Sequence, residues 1–429
     1  MPDLAKKISS VLPKERVLLM KRIGALAGTL GFRAFAVGGL VRDLILGAAN
    51  MDLDIVVEGD AIVMGDALAE ETLGTIVSHK RFGTCTVSAK DGLKIDLATA
   101  RSETYEKPGA LPVVRSGSIE DDLARRDFTM NAMAISVNRP DFGGLLDLHN
   151  GRRDLACGTI RAMHDGSFID DPTRILRAVR FGSRLRFAID RHTESLIKQA
   201  VRSSAFESVS RERVREELML MFQDKAPFEA VRRMARYGGF KFIHPAIKID
   251  RRLIRSCGAI DAACAMYERL PGVNKPPRKW LMYMMALSGG LTYRQVSAIC
   301  IKFAFGGADS AALALYNRKS GTVTRSLGSG RYIAPSEIYK LLRPLPLEVI
   351  LTIMAEAPRV RARIGAFLTE YERTNLHIGG NDLKAMGLKN GPAFKEILDK
   401  VLCRKMDGKL RSKADELEYA CVLAGNAAG

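Results

Sequence analysis

One change of rhythm along the chain constrains its fold more than any other feature. Between residues 32 and 137, short β-branched runs alternate with glycine-rich breaks, at 32–37, 53–57, 75–77, 84–89, 93–97 and 132–137. Runs of this kind predict strands, with a helix after Gly39 and another over 60–73. After Asp170 the apolar residues recur at helical spacing and strand signals become few. The sequence therefore predicts an α/β head followed by an all-α remainder.

At about 150 residues per domain, a chain of 429 residues suggests about three domains. Proline and glycine clusters mark joints in the helical part at 271–277 and 328–335, and a further joint falls at 374–381. Lysine and arginine total 66 against 48 acids, a net charge of +18, which favours a polyanionic partner and makes nucleic acid the first candidate. Residues 251–343 carry fifteen Lys or Arg against four acids. A surface that tracks an RNA backbone is favoured there over a solvated helix face, because solvated faces normally mix signs. No apolar run approaches the roughly 20 residues of a membrane span, and Met1-Pro2-Asp3 opens a charged segment without a signal-peptide core. A cytoplasmic protein with no membrane partner is expected. The seven cysteines are odd in number and never spaced C-x-x-C, and the six histidines form no H-E-x-x-H. Reduced, buried thiols and no zinc follow, so a metal here would be a hard cation on carboxylates.

Four motifs can carry chemistry. In Val37-Gly38-Gly39-Leu40-Val41-Arg42-Asp43 a strand gives way to a helix. The glycines would let a phosphate approach backbone N–H groups, with Arg42 one turn inside; the alternative is a tight turn that needs glycine for its φ. In Asp52-Leu53-Asp54 the two carboxylates fall at i and i+2, on one face of a strand, and could bind one or two Mg²⁺ ions. Asp96, on a neighbouring strand, could add a third ligand. A D-x-D after a Gly-Gly turn suits nucleotidyl transfer, in which an attacking hydroxyl is activated and a leaving pyrophosphate is neutralised. In Arg125-Arg126-Asp127-Phe128-Thr129-Met130-Asn131 paired arginines offer planar forks to phosphate and sugar, although an ordinary surface ion pair would look the same.

The fourth motif, Asp170-Asp171-Pro172-Thr173-Arg174, opens a helix on which Arg174, Arg177, Arg180 and Arg184 form one stripe. Asp171 and Arg174 could read a base edge directly. An aspartate accepts from an amino group while an arginine donates to a ring nitrogen, which admits cytosine and adenine and rejects uracil and guanine.

Taken in order, these motifs resemble the class II tRNA nucleotidyltransferases, the CCA-adding enzymes grouped with bacterial poly(A) polymerases in the polymerase β superfamily. The resemblance runs over 32–222. It takes in Gly38 to Asp54 as the metal and triphosphate motif, 125–132 as the ribose-contacting motif and 147–154 as the hinge. Residues 170–174 are similar to the E-D-x-x-R base-selecting template, and Glu212-Arg213-Val214-Arg215-Glu216-Glu217-Leu218 to the last neck motif. It implies a nucleotidyltransferase head with a mixed sheet and flanking helices (1–137), a neck with the nucleotide-selecting helix (138–222), a basic helical body that binds RNA (223–345) and a helical tail that binds tRNA (346–429). It further implies that Asp52 and Asp54 bind Mg²⁺; with Asp96, the third ligand suggested above by its neighbouring strand, they make the expected catalytic set. Gly38, Gly39 and Arg42 would hold triphosphate, Arg125, Arg126, Asp127 and Asn131 would contact the nucleotide, Asp171 with Arg174 would select the base, and Arg177 and Arg180 would assist.

Two departures stand out: Asp170 replaces the family's usual glutamate, and Arg186 stands where relatives tend to carry glycine. The expected reaction is template-independent addition of CMP and AMP from CTP and ATP to the 3′ end of tRNA. One alternative is addition of the terminal adenosine alone, with a separate CC-adding enzyme as partner, since the segment 101–112 supplies the loop that CC-only enzymes lack. Poly(A) polymerase activity is a second, disfavoured by Lys80-Arg81-Phe82-Gly83-Thr84. A third is a catalytically silent RNA-binding protein, disfavoured by the intact acids and arginines. In the tail, Leu376 to Lys384 with Gly387 and Pro392 is similar to longer family members, and Asn381 is expected as a helix N-cap, Gly387 as a terminator and Pro392 as a restart.

Overall fold

The computed structural model describes residues 4–48, 52–104, 106–110, 112–273, 275–388 and 391–428. The first three residues of the chain, and Tyr105 and Leu111 of the expected loop, lie outside them. All six expected strand runs form strands: β1 (Arg33–Val37), β2 (Leu53–Glu58), β3 (Thr75–His79), β4 (Thr84–Ser88), β5 (Lys94–Thr99) and, after a hairpin of β6 (Arg101–Thr104) and β7 (Val113–Ser116), β8 (Ala134–Ser136). The short β9 (Leu145–Leu146) completes a seven-stranded sheet of order β3-β4-β5-β2-β1-β8-β9. It is a mixed sheet: β2 and β5 pair in parallel and the other neighbours run antiparallel.

Helices cover the sheet. Among them are α1 (Ala5–Val11), α2 (Lys14–Thr29), α3 (Gly39–Ile45), α4 (Ala61–Glu71) and α5 (Ile119–Ala124). α2 and α4 pack on each other, α2 on β1 and α4 on β4 and β5, while Ile119 and Leu123 of α5 close a cluster with Phe35, Val37 and Val56. Burial from both sides explains why β1 and β2 read as nearly continuous apolar runs without alternation. Beyond the sheet come α6 (Gly151–Ala156), α7 (Ser167–Asp170), α8 (Thr173–Leu185), α9 (Arg191–Arg202), α10 (Arg211–Gln223) and α11 (Pro227–Met234).

The chain divides into two compact units, Met1–Glu217 with Asp224–Arg233, and Leu218–Gln223 with Met234–Gly429. The segments expected as head and neck fall in the first, apart from 218–222; the second holds most of the expected body and the whole tail segment. In the second unit α12 (Arg251–Glu268), α13 (Lys279–Ser288), α14 (Tyr293–Lys302), α15 (Gly307–Leu327), α16 (Pro335–Leu342), α17 (Leu347–Glu356) and α18 (Arg361–Thr369) are followed by α19 (Gly380–Ala385), α20 (Pro392–Met406) and α21 (Lys413–Ala428). α13 is buried from Trp280 to Ser288 and packs on α12, α15 and α17. The three expected joints fall largely between helices, though Asn274 lies outside the described residues and the last joint runs into the start of α19. Gly387, at φ +84°, ends the α19 segment and Pro392 opens α20, as expected. Asn381 is not the N-cap: it is the second residue of α19, and the start is closed by the Gly379 N–H donating to the Asp382 carboxylate at 2.8 Å. No helix among the described residues is long and apolar enough to cross a membrane.

Candidate active site

β1 ends at Val37, and the chain turns at Gly38 with φ +66°, a left-handed conformation that favours glycine, before α3 starts at Gly39. Gly38, Gly39 and Arg42 line a cavity of about 700 Å³ together with Asp52 and Asp54. Asp54, in β2, is half-buried. Burial first, then the neighbouring Asp96 and Asp52 carboxylates, raise its pKa against the opposing pull of Arg126. Carboxylates crowded against one another are the donor chemistry that suits a hard divalent cation, which relieves their repulsion.

Asp96 is in register with Asp54 across the parallel β2–β5 pair. Its carboxylate accepts a 2.5 Å hydrogen bond from Thr86 Oγ1, and it is not among the residues that line the cavity. Among the described residues no group of three or more His, Cys, Asp or Glu side chains is arranged to hold a metal. The structure thus brings Asp52 and Asp54 into the cavity and leaves Asp96 beside it, drawn onto β4.

Arg125, Arg126, Asp127 and Asn131 reach the same cavity. Both arginines are anchored by Asp122, which is fully buried: Arg125 Nε and Nη2 donate to one oxygen at 3.0 and 2.6 Å, and Arg126 Nε and Nη2 to the other at 3.2 and 2.9 Å. Arg125 also donates to Glu103 of β6 at 2.8 Å. Asn131 bridges two elements, its Oδ1 accepting from Arg42 Nη1 and its Nδ2 donating to Asp127 Oδ1, both at 2.9 Å. Burial alone would raise the Asp127 carboxyl, but Arg177, Asn131 and Arg174 outweigh it and hold it below the ordinary carboxylate range.

The arginine stripe behaves as one face of α8. Arg174, Arg177, Arg180 and Arg184 all line the cavity. Arg177 donates to Asp127 Oδ2 at 2.8 Å and to Glu217 Oε1 at 3.1 Å, and these two acids keep it charged against burial. Arg180 donates to Glu217 Oε2 at 3.3 Å, and its buried Nε has no hydrogen-bond partner.

Asp171 and Arg174 sit in the wall of the same cavity, each held by other residues. Asp171 Oδ1 accepts from Thr173 N and Oγ1 at 3.1 and 2.6 Å, and Oδ2 accepts from Arg213 Nη2 at 2.7 Å. Arg174 donates to Ser167 Oγ at 2.8 Å and to the Arg125 carbonyl at 2.9 Å. A carboxylate offers about four acceptor positions and a guanidinium five donors. By that count one acceptor on Asp171 and three donors on Arg174 are not taken up by these bonds. The hairpin β6–β7 carries the expected loop, whose buried Gly109 donates its N–H to the Asp170 carbonyl at 3.1 Å, next to this pair.

Sequence reasoning missed Asp122 and Glu103, and it named Arg213 and Glu217 in the last neck motif without placing them at this cavity. The signal for Asp122 was present, since it precedes Arg125 and Arg126 by three and four residues on a helical turn. The other three come from elements distant in sequence. Arg186, at φ +60°, occupies the left-handed C-cap of α8, a position where glycine carries no steric penalty.

Residues 34–161 match the family described as the Poly A polymerase head domain, and residues 186–250 that described as the probable RNA and SrmB-binding site of polymerase A. An A-adding tRNA nucleotidyltransferase of Geobacter sulfurreducens is 36% identical over 423 residues, which cover 97% of this chain and 48% of that protein. The chain spans about half the length of that relative. A second, from Halalkalibacterium halodurans, is 30% identical over 421 residues, 97% of this chain and 95% of that protein. The solved complex of a CCA-adding enzyme with ATP is similar with a TM-score of 0.82 and 30% identity, covering 99% of each chain. With this fold, this cavity and a relative matched along nearly its whole length, the chain belongs to the class II tRNA nucleotidyltransferase family.

Proposed function

We propose that this protein adds the terminal adenosine to tRNA ending in CC, using ATP and releasing pyrophosphate. The observation that carries the reading is the 36% and 30% identity, over 97% of the chain in both cases, to relatives named A-adding tRNA nucleotidyltransferases. It displaces full CCA addition as the first choice. Full addition stays as the second reading, favoured by the similarity over 99% of both chains to a CCA-adding enzyme.

In this reading the tRNA 3′-hydroxyl attacks the α-phosphate of ATP, loses its proton and forms the new phosphodiester as pyrophosphate departs. Asp52 and Asp54 would hold Mg²⁺, which when bound supplies Lewis-acid activation of the hydroxyl and neutralises the leaving group. Gly38, Gly39, Arg42, Arg177 and Arg180 bind the triphosphate, and Arg125, Arg126, Asp127 and Asn131 position the ribose. Asp171 accepts from the adenine amino group while Arg174 donates to the adjacent ring nitrogen. The protein's contribution is orientation and fixed charge, and no histidine base is required. The basic segment 251–343 and the tail bind the body of the tRNA, and a separate enzyme would supply the two cytidines.

The test is an extension assay with Mg²⁺ on tRNA ending at the discriminator base, on the same tRNA ending in CC, and on an unstructured RNA. Each is given CTP and ATP, separately and together. A single adenosine on the CC-ended substrate alone supports the reading. Three nucleotides on the first substrate would establish full CCA addition, and long tails on the unstructured RNA would make the protein a poly(A) polymerase.

A further inference from the structure

Four arginines of the cavity share one neighbour. The guanidinium carbons of Arg42, Arg177, Arg180 and Arg184 lie 5.2, 5.4, 4.8 and 5.0 Å from the ring centroid of Phe181. The ring is 6% exposed and lines the cavity with all four. Phe128 packs against it edge-on at 87°, with centroids 6.2 Å apart. Arg42 comes from α3 and the other three from α8, so the ring ties two elements together at one point.

Four like charges around one centre repel one another. At Arg184 burial, then Arg42, lower the pKa, with Arg180 adding to this and Asp224 and Asp43 opposing it. Carboxylates hold part of the cluster, Asp43 taking Arg42 Nε and Nη2 at 2.8 and 3.0 Å, Asp127 and Glu217 taking Arg177, Glu217 also taking Arg180, and Asp224 lying 3.7 and 3.9 Å from Arg180 and Arg184, but each cancels charge and occupies N–H donors. An aromatic ring does neither. Its negative face attracts the guanidinium carbon and takes no N–H donor, so the donors that the acids leave, mainly on Arg180 and Arg184, are not used up by the contact. Arg180 Nε is buried and has no hydrogen-bond partner.

We propose that Phe181 is a positioning residue that gathers Arg42, Arg177, Arg180 and Arg184 into a single cationic site for the triphosphate of the incoming nucleotide. This rests on the nucleotidyltransferase reading above and adds to it the residue that assembles the phosphate site.

The test replaces Phe181 in the full chain with 4-fluoro-, 3,5-difluoro- and 3,4,5-trifluorophenylalanine, which nearly preserve the shape of the ring while withdrawing charge from its face in steps. ATP affinity is measured by equilibrium dialysis without tRNA, alongside displacement by tripolyphosphate, KM for ATP and for tRNA, and Tm. The expected result is a stepwise loss of ATP and tripolyphosphate affinity, about three- to tenfold at the trifluoro ring, with tRNA KM and Tm unchanged. Phe181→Leu should lose more. ATP affinity that stays flat across the series, or that falls only in step with Tm, would overturn the proposal. Failure of the wild-type protein to extend any tRNA would instead overturn the proposed function, so the two failures are distinguishable.

Discussion

Asp122 is the residue on which the geometry of the cavity-lining Arg125 and Arg126 depends, and Asp122→Asn tests it with almost no change of shape. The carboxylate is fully buried and takes two bonds from each of Arg125 and Arg126, whose side chains are 19% and 17% exposed. The amide leaves one oxygen as acceptor and presents an NH₂ group to the other guanidinium, donor against donor. Breaking a buried ion pair costs roughly 3–5 kcal/mol. Arg125 keeps its 2.8 Å bond to Glu103 and both arginines retain some access to water, so a loss of about 2–4 kcal/mol is expected. Arg126, left with a long 3.4 Å bond to the Asn131 carbonyl, is the one released. For a unit of this size the loss lowers Tm by roughly 4–16 °C. Under the proposed function, displacement of this cavity arginine should reduce kcat/KM for ATP by about ten- to a hundredfold. Thermal and denaturant unfolding of the full chain, with adenosine addition to CC-ended tRNA, measure both effects. An unchanged unfolding midpoint together with kcat/KM within about twofold of wild type would refute the anchoring role.

Arg186→Gly should raise stability by about 0.5–1 kcal/mol, because relief of a left-handed non-glycine residue outweighs the added freedom of the unfolded chain; a lower Tm would count against this. Asp54→Ala should abolish nucleotide addition while tRNA binding persists, and extension at a comparable rate would remove Asp54 from the metal site. Asp171→Ala should relax selection against UTP and GTP in the same assay, and an unchanged preference would refute base reading by this pair. Burial above all pushes the Cys85 thiol up to about 11 and those of Cys257 and Cys264 up to about 12. At pH 8 iodoacetamide should therefore label the exposed Cys157 and Cys421 in the native protein and reach those three only after unfolding, as peptide mass mapping would show. Native labelling of Cys85 at the rate of Cys157 would contradict that burial.

Much of the head was legible because its signals are local. Strand runs, the glycine turn and the arginine spacing on α8 each depend on residues within one or two turns of one another, where backbone sterics and periodicity suffice. The N-terminal helices α1 and α2 and the β6–β7 hairpin were not read. The hairpin's strands are four residues each, β6 polar and largely half-buried and β7 mostly exposed, and they carry little periodic signal. At Asn381 local propensity pointed to a cap, but the Asp382 carboxylate closes the α19 start by bonding the Gly379 N–H.

The amino-acid order alone therefore settled the α/β-then-helical plan, the placing of Asp52 beside Asp54 and the facing of Arg174, Arg177, Arg180 and Arg184 to one side. Which side chain answers which arginine came from the folded chain. Arg42 meets Asn131 across 89 residues, Arg177 meets Asp127 across 50, and Asp171 meets Arg213 across 42. Asp96, a third-ligand candidate by sequence, was drawn to Thr86 by the antiparallel register of β4 and β5. Periodicity reaches one helical turn or one strand alternation, whereas these partnerships depend on how separate elements pack, and packing is a property of the whole chain.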